Sequence, residues 1–120
     1  MADVVYMISD MLFSSKLREA AKASGVTVQA QRDAAAWAAA AREAKLAIVD
    51  LRMPTALAAL DALAAAPPTT PSTLRTVGFI DHERVEVMDE ARAKGFTDVM
   101  AKGQFANALP KLLAGLSAQA

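Results

Sequence analysis

The stretch Leu46 to Pro54, reading LAIVDLRMP, constrains this chain more than any other. Leu46, Ala47, Ile48 and Val49 are apolar without alternation and run straight into one carboxylate, Asp50, with Pro54 after a polar break. A short continuous apolar run reads as a strand buried on both faces, as in a parallel sheet with helices on either side. In open α/β sheets, ligands and chemistry sit in the crevice beyond the carboxyl ends of the strands. Asp50 falls at that place.

The rest of the chain repeats the pattern. Val4 to Ile8 is a second continuous apolar run, closed by Ser9 and Asp10. Residues 11 to 24 carry Phe13, Leu17, Ala20 and Ala21 at helical spacing, and Gly25 is the expected stop. Val26 and Val28 alternate with Thr27 and Gln29, predicting a short strand. Asp33 is placed to cap a helix through about Ala44, an alanine tract whose one large side chain is Trp37. Past the central strand, Thr55 can cap a helix carrying Leu57, Leu60 and Leu63. Pro67, Pro68 and Pro71 end that helix in the one clear loop. Thr76 to Ile80 predicts a fourth strand closing on Asp81, then a helix from about Glu83 to Lys94 stopped by Gly95. Thr97 to Ala101 predicts a fifth strand ending at Lys102. In the helical tail from Gln104 to Ala118, Pro110 is expected to open the helix after a short first turn, because proline is welcome at the first helical position and not in mid-helix.

Five alternating strand and helix units predict an α/β fold: a five-stranded parallel doubly wound sheet, flavodoxin-like, of strand order 2-1-3-4-5. At 120 residues the chain suits one domain, residues 1–120, without an output domain after the fifth helix. Thirteen basic and thirteen acidic residues balance, which argues against a nucleic-acid surface. No cysteine is present, so disulfides, thiolate metal sites and cysteine nucleophiles are excluded. No leader peptide and no apolar run of ~20 residues is visible, so a cytoplasmic protein without membrane contact is the expectation. His82, the only histidine, makes no zinc site.

In this strand order, Asp10, Asp50, Asp81 and Lys102 come from four strand ends into one crevice. Two adjacent carboxylates repel unless a cation intervenes. Oxygen ligands with one or two carboxylates suit magnesium, and a lysine opposite could meet a phosphoryl group.

At these residues the chain resembles the receiver domains of bacterial two-component response regulators. The likeness covers about residues 3 to 117. It rests on Ser9 and Asp10 after the first strand, on DLRMP around Asp50, and on AKGFTDVMAKGQF around Lys102. The resemblance implies Asp50 as phosphoacceptor from a histidine kinase, Asp10 and Asp50 as magnesium ligands, and Lys102 as the phosphoryl-contacting cation. It also implies signalling in a phosphorelay, and pairing through the surface of the fourth helix, fifth strand and fifth helix.

Departures from the family's pattern weigh against phosphotransfer. Ser9 replaces the first of two acids, which weakens magnesium binding. Asp81 stands at the switch position, where the family has a serine or threonine. Val99 replaces the switch aromatic, and Gly103 the proline after the lysine. The resulting expectation is a stand-alone, degenerate receiver-like module, not an enzyme. It would act through protein contacts with a histidine kinase, a downstream signalling protein or a second copy, with phosphorylation at Asp50 weak or absent. The alternative is a working magnesium-dependent phosphoacceptor. A small-ligand carrier or a phosphatase on the same fold is less favoured: no phosphate-binding glycine loop and no DxDx(T/V) stretch occurs. Arg52 reads as a solvent-exposed flank, and Asp81 with Lys102 as a salt bridge closing an idle pocket.

Overall fold

Along each strand, successive side chains point to opposite faces of the sheet, and here both faces are apolar. The structure, a computed structural model, describes residues 3–65, 74–81, 83–94 and 96–118. Strands and helices alternate along them: β1 Val4–Met7, α1 Met11–Ser24, β2 Val28–Ala30, α2 Ala34–Ala41, β3 Leu46–Asp50, α3 Ala56–Ala65, β4 Arg75–Ile80, α4 Val85–Ala93, β5 Asp98–Ala101 and α5 Lys102–Ala118. The sheet order is β2-β1-β3-β4-β5, and every neighbouring pair is parallel. This is the doubly wound sheet that the apolar runs predict. The proline loop, His82 and Gly95 lie outside the described residues.

The two faces carry separate cores. Val4, Tyr6, Leu46, Ile48, Val77 and Phe79 face α1 and α5, which contribute Phe13, Leu17, Phe105, Leu109 and Leu113. Val5, Met7, Ala47 and Val49 face α2, α3 and α4, where Trp37, Leu60, Leu63 and Ala91 are buried. The alanine helix α2 has little apolar bulk apart from Trp37. Its indole is fully buried, and Nε1 donates to the carbonyl of Ile48 at 3.2 Å. Trp37 is therefore a packing residue of the core.

Local signals set most of the boundaries. Asp10 caps α1 by accepting from the amides of Leu12 and Phe13, and Asp33 caps α2 by accepting from Ala36. Gly25 ends α1 at φ 69°, the left-handed conformation glycine tolerates.

Two local expectations are corrected. Thr55 does not cap α3; its hydroxyl donates to Met7 Sδ at 3.7 Å. Nor does α5 begin at Pro110: it runs unbroken from Lys102, with Pro110 inside it. Proline cannot donate to the carbonyl one turn earlier, but its ring is exposed. Phe105 and Leu109 before it and Leu113 after it are buried on one face, so packing holds the helix on both sides of the missing bond. Among the described residues no helix is long and apolar enough to cross a membrane.

Candidate functional site

Strand alternation decides where Asp50 points. Leu46 and Ile48 lie on the α1/α5 face, so Asp50, two residues on, shares it. It closes β3 level with Phe79 of β4 and is fully buried. The chain then turns back over it. The amide of Met53 donates to the Asp50 carbonyl at 3.1 Å, and the amide of Arg52 donates to Asp50 Oδ1 at 3.0 Å. The second contact is the local turn that aspartate makes with the backbone two residues on. It brings the Arg52 side chain over the pocket, with Nε 3.5 Å from Asp50 Oδ1 and an Nη 3.5 Å from Asp10 Oδ2. The other oxygen, Asp50 Oδ2, accepts from the Ser9 hydroxyl at 3.0 Å.

Asp10 is held as firmly. Oδ1 accepts the two cap amides at 2.9 and 3.2 Å, while Oδ2 accepts from Lys102 Nζ at 3.2 Å. These donors, the Phe13 amide first and the Lys102 ammonium next, hold the Asp10 carboxyl below its ordinary value of 3.8. Lys102 opens α5 and lies 4.9 Å from the centroid of the Phe13 ring, within cation–π range. Phe13 belongs to a stack with Phe79 and Phe105, the latter two 4.4 Å apart. The aromatic core thus fixes one cation of the pocket.

The depressed Asp10 carboxyl gives a testable pH dependence. A carboxyl whose folded pKa lies below its unfolded value adds stability above the unfolded value, and that stability is lost as pH falls through the folded one. Asp10→Asn keeps a capping side chain but loses the charge. Its denaturation midpoint is expected below wild type near about pH 7, with the gap closing as pH falls below the ordinary carboxyl value of 3.8. A gap that widens toward acid would reverse the assignment.

Of the expected site residues, Ser9, Asp10, Asp50 and Lys102 are linked, with Arg52, by hydrogen bonds and ion pairs, and Asp81 is not. Asp81 is exposed and follows β4, and its carbonyl accepts the Arg84 amide at 3.0 Å. Its carboxylate has no hydrogen-bond or ion-pair partner among the described residues. The anticipated Asp81–Lys102 salt bridge is therefore replaced by Asp10–Lys102. Arg52, read from sequence as a solvent-exposed flank, is exposed and also reaches the pocket's two acids. The signal that could have found it is the aspartate two positions before it in a segment that is not yet helical. Val99 is half-buried against the α2–α4 core.

The donor set does not suit a magnesium ion as it stands. All four oxygens of Asp10 and Asp50 already face protein donors, and two of those donors are full cations. Among the described residues no group of three or more metal-ligating side chains gathers. A divalent ion would have to displace the guanidinium, since like charges about 4 Å apart repel by about 4 kcal/mol per unit pair near a protein surface.

No family model matches the sequence, and no curated protein matches it either. Solved structures do. The receiver domain of NtrX from Brucella abortus superimposes with a TM-score of 0.73 at 19% identity, over 98% of this chain and 100% of that one. Against a longer NtrX chain the match spans only 28% of that chain's length, with a TM-score of 0.70 and 19% identity. A signal receiver domain from Vibrio parahaemolyticus, described as that of a LuxO repressor protein, gives 0.74 at 15% identity, over 98% of this chain and 91% of that one. A protein from Burkholderia thailandensis described as a pilus assembly protein, CpaE, gives 0.67 at 18% identity, over 99% and 100%. The fold is that of response-regulator receiver domains.

Proposed function

We propose that the chain is a receiver-like signalling module that works by protein–protein contact, with phosphorylation of Asp50 weak or absent. One observation carries this reading: Asp50 is fully buried and both its oxygens are engaged, by Ser9 and Arg52. Phosphoryl transfer to a carboxylate needs a free oxygen in line with the donor's phosphorus, and the charge that develops is stabilised by metal and cations around it. Here the nucleophile's oxygens are occupied and Asp10 is paired with Lys102.

In this reading the module is a binding protein, not an enzyme, and acts in the cytoplasm. Its partners are a histidine kinase, a downstream signalling protein or a second copy of the chain. The surface that meets them is α4, β5 and α5. Support comes from how little of α4 and β5 is spent on the core. Only Ala91 of α4 is fully buried, Val85 is 55% exposed, and the edge strand β5 is half-buried at every position. The kinship in fold to a regulator's receiver domain and to a pilus assembly protein is consistent with a module put to more than one use.

Intact mass after incubation with magnesium and a small acyl phosphate tests the phosphoacceptor half of the reading. The expected result is no added phosphoryl group in wild type or in Asp50→Asn. A stoichiometric gain in wild type alone would make Asp50 a working phosphoacceptor and overturn it.

A further inference from the structure

The pocket holds two carboxylates, one guanidinium and one ammonium, and their formal charges cancel. Within this set Arg52 is the only group that reaches both acids. Its Nη lies 3.5 Å from Asp10 Oδ2 and its Nε 3.5 Å from Asp50 Oδ1, while its own amide donates to the same Asp50 oxygen at 3.0 Å. Lys102 reaches Asp10 alone and is held there from its other side by the Phe13 ring. Asp50 has no exposed surface, so solvent does not screen its charge, and its other oxygen is met by a neutral hydroxyl, Ser9. A buried carboxylate demands a counter-charge, and the one supplied to Asp50 is Arg52.

We infer that the Arg52 guanidinium is the built-in counter-ion of the Asp10–Asp50 pair, occupying the electrostatic place of a divalent cation, so that the folded pocket is complete without one. The inference deepens the reading above and rests on it for the identity of the pocket. Its direct consequence is that the wild-type chain is indifferent to magnesium, whereas removing the guanidinium charge creates a magnesium site from residues already present. Asp10 and Asp50 are then left as neighbouring acids with Lys102 near only the first. A small divalent ion with oxygen ligands and retained waters is the cation such a pair selects.

The test compares thermal melting of wild type and Arg52→Gln, each in chelator and in ~10 mM magnesium chloride at matched ionic strength. Arg52→Gln keeps a polar side chain of similar reach, and the local turn at Asp50 uses only its backbone amide. Wild type is expected to melt at the same temperature in both buffers. Arg52→Gln is expected to melt lower in chelator and to gain roughly 3–6 °C with magnesium. A gain in wild type equal to that of the variant, or no gain in the variant, would overturn the inference. Calorimetric titration of wild type with magnesium gives a second test that does not need the variant to fold: saturable binding overturns the inference, and its absence supports it. Failure of this inference is separable from failure of the functional reading. Magnesium binding by wild type without a phosphoryl gain removes the counter-ion role and leaves the reading standing; a phosphoryl gain removes the reading.

Discussion

Trp37→Ala is expected to destabilise the chain by about 3–5 kcal/mol, one of the two largest effects of any single truncation considered. The indole is the largest fully buried side chain, and it stands on a helix otherwise made of alanine. The other residues of α2 are all alanine and offer no side chain to fill the space it leaves. The substitution also removes the donor to the Ile48 carbonyl on the strand that ends in Asp50. Trp37→Phe separates the two contributions. It retains most of the buried ring and loses the hydrogen bond, whose net value is about 1 kcal/mol. Far-UV circular dichroism is the appropriate probe, because Trp37 is the only tryptophan and its fluorescence disappears with it. A loss under about 1 kcal/mol in Trp37→Ala would mean that α2 does not depend on its one large side chain.

Phe105→Ala is expected to cost a similar amount, about 3–5 kcal/mol, and to reach the pocket as well. Phe105 is fully buried and lies nearly parallel to Phe79 at 4.4 Å, and both rings contact Phe13. Phe13 in turn lies under the Lys102 ammonium and donates its backbone amide to Asp10. Loss of Phe105 therefore loosens the first turns of α5, the part that precedes Pro110 and depends on packing for its helical form. Hydrogen exchange should show faster opening from Lys102 to Leu109 than from Leu17 to Ala21 on the neighbouring α1. Uniform acceleration across both helices would point to global destabilisation with no special role for Phe105 in α5.

The architecture was legible in the sequence because its signals are local. Continuous apolar runs such as VVYM and LAIVD gave the buried strands. Asp33 and Gly25 marked helix ends through a hydrogen bond or a backbone conformation available within a few residues. The placement of Asp50 at a strand end followed from the run before it. The pairing inside the pocket was less legible, because it joins residues far apart in the chain, such as Asp10 with Lys102 and Ser9 with Asp50. Lys102 begins α5, which packs on the same face as α1, the helix capped by Asp10. Asp81 is exposed and makes no side-chain hydrogen bond or ion pair with those residues. Strand order places all four charges at one end of the sheet; which of them pair is set by these contacts between distant side chains, which no local signal carries. Arg52 was hidden for a different reason. Its reach to two acids exists only because the Asp50 side chain folds the backbone at 50–53 into a turn. Pro110 misled because helix propensity is local, whereas Phe105, Leu109 and Leu113 act through the core.

The most direct measurement is an amide NMR spectrum of the labelled chain before and after addition of magnesium with beryllofluoride, which together mimic a phosphorylated aspartate. If the Asp50 pocket is already saturated by Ser9, Arg52 and Lys102, the two spectra superimpose across α4, β5 and α5. Concerted shifts through those elements, absent in Asp50→Asn, would contradict a phosphate-independent module.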